Sequence, residues 1–221
     1  MRVRARAGYT LVELMMIVAI IGISTMVFTP GFSRAMADRK VSLAARELIR
    51  VGRRARADTF GYLRSHLLWI NPSARTVQLL RGPTNSCTLV NWSEVVGDCG
   101  TGLANNQHRC VENLWMSDLS GTRTISIFEE TISGGSTTYS TTGRALCFQP
   151  SGVMMYGSGA NLATASAPTT LQRDNISGNG GVNGGFIFSL LDGANAPTSS
   201  DTSKRVHRVL FPMGGSPRSM R

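Results

Sequence analysis

The sequence has few of the residues, and none of the short motifs, that carry most enzyme chemistry. It contains only three histidines, His66, His108 and His207, and none of them lies beside a nucleophile or a metal-ligating partner. The nucleophile motif GxSxG, the zinc motif HExxH, the P-loop and the dinucleotide motif GxGxxG are all absent. The sequence therefore predicts no enzyme, no cofactor, no metal and no small-molecule substrate.

Acidic residues are also scarce, and the excess of positive charge is unevenly distributed. The chain has 23 Lys and Arg against 13 Asp and Glu. Residues 1–65 hold 12 of the basic and 4 of the acidic residues, which leaves 11 and 9 for residues 66–221. Because the second part is close to neutral, the overall charge of +10 does not by itself indicate a nucleic-acid-binding domain.

One long apolar run stands near the N-terminus. Twenty residues from Leu14 to Ser33 contain no charge, and a helix of about 20 residues is long enough to cross the hydrocarbon core of a bilayer. A secretory signal peptide needs a shorter apolar core and a small-x-small cleavage site, and no such site follows before Pro30. A single-pass anchor would have its N-terminus in the cytoplasm, since Arg2, Arg4 and Arg6 precede the run.

Glu13 does not suit an ordinary anchor, because a carboxylate at the edge of an apolar helix is costly and is a functional hypothesis by default. The leader MRVRARAG is followed by YTLVE and then by the apolar run. In this combination the chain resembles the type IV pilin-like superfamily, whose class III leader is cut on the cytoplasmic side. The resemblance implies cleavage between Gly8 and Tyr9, N-methylation of Tyr9, and an assembly role for Glu13. Tyr9 stands where Phe is commoner.

The predicted role of Glu13 follows from charge compensation. Cleavage would leave a cationic amine at Tyr9, which can lie beside Glu13 of another subunit and fix the register of the two helices. Gly22 and Pro30 lie in the apolar helix, where proline removes one backbone hydrogen bond. They predict a kink, either as in superfamily members that unwind there or as a simple bend tolerated in lipid.

The helix continues beyond the apolar run with an amphipathic pattern. Its apolar residues recur at helical spacing, and arginines occupy much of the remaining surface, which predicts a solvated face or a subunit contact. The apolar positions are Met36, Val41, Ala44, Ala45, Leu48, Val51 and Ala55. We therefore predict a cleaved leader at 1–8, an apolar helix at 9–33, an amphipathic helix at 34–60 and a β-rich domain at 61–221.

Short β-type runs separated by turn residues fill the rest of the chain. Together with the long helix they predict the α+β class and an antiparallel sheet domain, which in this superfamily is the type IV pilin fold. The eight runs are SHLLWI, TVQLLR, SCTLVNW, TISIF, ALCF, GVMMY, GFIFSLL and HRVLF. The acidic pair Glu129 and Glu130 is predicted to be a solvated strand edge, and Gly143–Arg144 and Ser151–Gly152 are predicted to be turns.

Four cysteines would be exported with this topology to a compartment where disulfides persist. Short loops favour Cys87–Cys99 with Cys110–Cys147, and Cys99–Cys110 is a serious competitor. The spacings lack the close pairs of zinc ligands.

The segments ARELIRVGRRARADTFGY, CFQPSGVM and RVLFPMGG are similar to those of the GspH/FimT group. That resemblance implies a minor pilin that primes assembly or forms the tip of a type IV pilus. Its partners would be other minor and major pilins, prepilin peptidase and the inner-membrane assembly platform. The protein would span the inner membrane once, with a periplasmic domain, and then join a surface pilus. The alternatives are an H-type pseudopilin of a type II secretion system and a DNA-uptake pilin with Arg218 and Arg221 as candidate DNA contacts.

Overall fold

The structure is a computed structural model of the chain. It describes residues 10–88, 92, 99, 109–116, 118, 124–133, 136–158, 185–193 and 206–220, without the side chains of residues 27–31, 33, 34, 109, 133, 136 and 158. The chain divides into two compact units, Met1–Arg39 and Lys40–Arg221.

The N-terminal part of the described chain forms one long helix. Helix α1 comprises Leu11–Tyr62, 52 residues. Within the second unit, the face of α1 made by Val41, Ala44, Ala45, Leu48, Val51 and Ala55 is buried, which confirms the predicted apolar face for these positions. Met36, which precedes that unit, is exposed. Burial follows the i, i+3, i+4, i+7 spacing because only one side of the helix meets the sheets.

The described strands of the second unit form two antiparallel five-stranded sheets, and the α+β class is confirmed. The first sheet has the order β3-β2-β1-β6-β7 and the second has the order β10-β9-β8-β4-β5. The strands are β1 (His66–Asn71), β2 (Thr76–Arg81), β3 (Arg109–Trp115), β4 (Ile125–Ser133), β5 (Ser136–Ser140), β6 (Arg144–Phe148), β7 (Met154–Ser158), β8 (Gly185–Asp192), β9 (His207–Pro212) and β10 (Arg218–Met220).

Seven of the eight predicted β-type runs coincide with strands. The strand predicted at SCTLVNW was wrong for the residues that the structure describes, since residues 86–88 lie outside the strands and Trp92 is helical. Three strands, β3, β5 and β10, were not predicted. Each is the edge of a sheet, and edge strands carry polar residues that weaken the apolar signal. Gly143 and Gly152 have positive φ angles of 79° and 82°, as the predicted turns require. Arg144, which was also predicted to lie in a turn, is instead the first residue of β6.

The main core lies where α1 meets the inner faces of both sheets. It includes Leu48 on α1, Leu68 on β1 and Phe188 and Phe211 on the second sheet. A second cluster covers the outer face of the first sheet, where Leu67, Leu80 and Cys147 pack with Cys87 and Trp92. The Trp92 indole donates a hydrogen bond of 2.9 Å to the carbonyl of Cys87.

Both disulfides belong to this second cluster. The disulfide pairing that short loops favoured, Cys87–Cys99 with Cys110–Cys147, was wrong. The bridges are Cys87–Cys147 and Cys99–Cys110, with Cα–Cα distances of 6.0 and 5.2 Å. Cys110 lies on β3 and Cys147 on β6, three strand spacings apart in the sheet order β3-β2-β1-β6. At about 4.8 Å per spacing, that separation of about 14 Å exceeds the reach of a disulfide, about 4–7 Å. The sheet order therefore excludes the bridge that loop length favoured.

The predicted solvated edge at Glu129 and Glu130 was also wrong, because both residues are buried in β4. Adjacent residues of a strand point to opposite faces of the sheet. Glu129 accepts a 2.9 Å hydrogen bond from Arg144 Nε of β6, which joins the two sheets. Glu130 accepts hydrogen bonds from Ser189 of β8 and from Arg208 Nε of β9, the latter at 2.8 Å. Hydrogen bonding to Glu130 raises the pKa of Arg208.

Candidate functional residues in the two units

The start of α1 is capped by a side chain next to the predicted cleavage site. Thr10 Oγ1 accepts a 3.2 Å hydrogen bond from the backbone N–H of Glu13, and the Thr10 carbonyl accepts one of 3.2 Å from Leu14 N–H. This arrangement places Thr10 at the N-cap and Glu13 in the first turn, where a carboxylate is favoured by the helix dipole. The pattern Thr-x-x-Glu is the signal of a capping box, and sequence reasoning missed it. Gly8 and Tyr9 lie outside the described residues.

The first turns of α1 expose apolar side chains on all sides. Leu11 is 76% exposed and Met26 is 83% exposed, and the large apolar residues between them are exposed as well. Two hydroxyl groups in this stretch bind the helix's own backbone. Ser24 Oγ donates to the Ile20 carbonyl at 2.7 Å, and Thr25 Oγ1 lies 3.0 Å from the Ile21 carbonyl. Such internal hydrogen bonds replace the hydrogen bonds that these hydroxyl groups would otherwise make to water.

The predicted apolar helix at 9–33 is described only in part. Within the described residues, no helix is long and apolar enough to meet the requirement for crossing a membrane. Gly22 and Pro30 both lie within α1, and the side chain of Pro30 lies outside the described part. A kink at these two positions stays a prediction.

Several arginines of the amphipathic half make contacts within the second unit, where a solvated face or a subunit contact was predicted. Arg50 and Arg54 both bind Glu112 of β3, Arg54 Nη1 at 3.0 Å. Hydrogen bonding to Glu112 raises the pKa of Arg50. Arg56 Nη2 donates to the Pro212 carbonyl at 2.7 Å, and burial lowers the pKa of Arg56. These arginines therefore fasten α1 to both sheets.

Only one of the two candidate DNA contacts lies in the described part of the chain. Arg218 is exposed on β10, opposite Leu210 of β9, and Arg221 lies outside the described residues. Arg53 of α1 reaches this edge, since its Nη2 lies 3.5 Å from the Pro217 carbonyl.

Comparison of this chain with protein-family models, with curated proteins and with solved structures gave no match.

Proposed function

We propose that the protein is a minor pilin of a type IV pilus, with the type IV pilin fold, which primes assembly or forms part of the tip. The observation that carries the proposal is the leader MRVRARAG followed by YTLVE and an apolar helix. The two-unit organisation is compatible with it. The first unit would lie in the inner membrane and then in the filament core, and the second would lie in the periplasm and then on the pilus surface.

The position of Glu13 supports the assembly part of this proposal. Glu13 occupies the first turn of α1, and exposed apolar residues surround it in the helix. An exposed carboxylate in apolar surroundings requires a cation, and the amine created by cleavage before Tyr9 would supply one from a neighbouring subunit. Pairing of that kind would select one axial register between helices.

The hydroxyl groups of Ser24 and Thr25 support the apolar location of the helix. Both lie against carbonyl groups of the preceding turn. A side-chain hydroxyl in lipid or in a dry filament core needs such a partner, because no water is there to hydrogen-bond it.

Processing and location are tested together by intact-protein mass spectrometry of sheared pili and of the membrane fraction. We expect a species that begins with N-methyl-Tyr9 in the sheared pili. The same species confined to membranes would favour the H-type pseudopilin of a type II secretion system. A chain that still begins at Met1 in both fractions would refute the leader assignment.

The role of Glu13 is tested by Glu13→Ala with Thr10→Ala as the matched control. Thr10→Ala removes the hydroxyl that accepts the hydrogen bond from the Glu13 backbone N–H and keeps the carboxylate, whereas Glu13→Ala keeps that N–H and removes the carboxylate. We expect both variants to be cleaved and only Glu13→Ala to be lost from sheared pili. Equal incorporation of the two variants would show that the carboxylate does not set the register.

A further inference from the structure

The end of α1 is joined to the start of β1 through one buried histidine. His66, the first residue of β1, is fully buried, and strand alternation places it on the same inner face as Leu68 and Ile70 of the main core. Its ring Nδ1 lies 3.2 Å from Thr59 Oγ1 in the last turn of α1 and 3.1 Å from the carbonyl oxygen of Arg64. His66 therefore binds the chain on both sides of the turn between the helix and the strand.

The partners of Nδ1 determine which ring nitrogen of His66 carries the proton. The Arg64 carbonyl can only accept, and the Thr59 hydroxyl already donates to the Ala55 carbonyl at 2.6 Å, so Nδ1–H is the donor to both. Nε2 is then an unprotonated acceptor, and it is buried without a hydrogen-bond partner among the described residues. These contacts fit a neutral imidazole.

The charged groups around His66 oppose a second proton on the ring. In the sheet His66 lies opposite Arg81 of β2 and the uncharged Phe148 of β6. From α1, the Arg56 guanidinium lies 5.2 Å from the centre of the Phe148 ring. Burial lowers the pKa of His66, the charge of Arg81 lowers it further, and the backbone hydrogen bond and the charge of Asp58 oppose them. An imidazolium would therefore add a buried cation to a region that already holds two arginines.

The turn that His66 closes is itself unfavourable. Leu63 has a φ of 53°, in the left-handed region where a side chain crowds the backbone. Leu63 is 68% exposed and Phe60 is 56% exposed, so burial of these side chains contributes little to the turn. Tyr62 stacks loosely on His66, with ring centroids 6.3 Å apart, and the Arg81 guanidinium lies 5.0 Å from the Tyr62 ring. The helix side of the turn therefore depends on contacts made by or beside His66.

We propose that His66 is a pH-sensitive latch, which holds the last turn of α1 on the first sheet when it is neutral and releases residues 59–66 when it takes up a proton. The proton from solvent binds Nε2, so Nδ1–H keeps its two acceptors. The cost comes from the buried charge and from a new N–H donor that has no acceptor among the described residues. Hydration of the imidazolium requires the turn to open. The latch does not depend on whether the protein joins a pilus or a secretion machine.

Hydrogen–deuterium exchange of the full-length protein in detergent micelles tests the latch. Exchange is measured by mass spectrometry at about pH 7 and about pH 5 and is expressed as protection relative to an unstructured chain, which removes the intrinsic effect of pH. The released ring has the ordinary pKa of 6.5, so protection of residues 59–66 should fall by up to about 25-fold between these pH values. Amides of β8 should stay more protected at both, because they exchange only when larger parts of the fold open.

Three variants make the result decisive. His66→Gln cannot take up a proton and should remove the pH dependence, whereas His207→Gln, on β9 of the other sheet, should keep it. Thr59→Val removes one acceptor of Nδ1–H and should lower the protection of residues 59–66 about fivefold at about pH 7, which tests the latch even if His66→Gln fails to fold.

Four results would each overturn the proposal. They are wild-type protection of residues 59–66 that does not change with pH, a His66→Gln response equal to that of wild type, unchanged protection in Thr59→Val, and exchange of residues 59–66 together with β8 under every condition.

Discussion

The packing of α1 against the second sheet depends on Gly52, and replacing it with alanine gives the sharpest test of the fold. A Cβ atom at residue 52 would lie 2.5 Å from Phe211 Cε1 and 2.9 Å from Pro217 Cγ. Phe211 is fully buried, with its ring edge-to-face against Phe188, so it has little room to move aside. The glycine therefore permits a close approach between the helix and β9.

Two opposing effects decide whether Gly52→Ala raises or lowers the free energy of unfolding. Alanine in place of glycine in a helix interior contributes about 1 kcal/mol of stability through helix propensity. Overpacking a rigid core costs about 1–3 kcal/mol, and contacts with both Phe211 and Pro217 place Gly52→Ala in the upper half of that range. We expect a net loss of about 1–2 kcal/mol, which for a unit of this size lowers the unfolding temperature by about 2–8 °C.

The measurement is thermal unfolding followed by circular dichroism, with Gly61→Ala as the matched control. Gly61 lies on the same helix, and nothing lies within 4 Å of a Cβ built there. Only the propensity effect applies at that position, so we expect a gain of about 0.5 kcal/mol. If Gly52→Ala stabilises the protein as much as Gly61→Ala does, α1 and β9 do not approach as closely as described.

Three further predictions concern the covalent and ionic contacts of the second unit. Replacing Cys87 and Cys147 by alanine removes the bridge of sequence separation 60 and should lower the free energy of unfolding by about 4 kcal/mol in the chain-entropy treatment. Removal of the shorter bridge, Cys99–Cys110, should lower it by about 3 kcal/mol. If urea unfolding shows the reverse order, the assigned pairing is contradicted. Burial lowers the pKa of His66, so the unfolded chain binds the proton more readily and stability falls as the pH drops below 6.5. The slope is at most about 1.4 kcal/mol per pH unit, and a His66→Gln profile that is no flatter would disprove this assignment. Arg208→Met leaves the fully buried Glu130 carboxylate without its cation. We expect a loss of about 3 kcal/mol, the lower end of the range for a broken buried pair, because the Arg208 side chain is 37% exposed. A loss below about 0.5 kcal/mol would mean that the pair is not needed.

Much of the helix and of the strands was predictable because the hydrophobic pattern of a chain follows local geometry. The burial of Leu48, Val51 and Ala55 was predicted from helical spacing alone. Alternating or continuous apolar runs likewise predicted central strands such as β1 and β8. The edge strands β3, β5 and β10 were missed because they carry polar residues, as in STTYS of β5, whereas the edge strand β7 was predicted from the apolar run MMY.

The candidate functional residues could be predicted from the sequence to different degrees. The predicted leader and the predicted roles of Tyr9 and Glu13 depend only on residues that are adjacent in the chain. The alignment of Trp69, Gln78 and Asn113 on the outer face of the first sheet was not recognisable, because the three residues come from three strands and lie in one line only through strand register.

The sequence by itself determined α1, its buried apolar face and most strands, since each depends on residues within a few positions of one another. Tertiary structure decided the partners of Cys87 and Cys110, the burial of Glu129 and Glu130, and the close approach at Gly52. These features depend on strand order and on which faces meet. Strand order places β6 beside β1, far from β3, and no local pattern of residues encodes that distance.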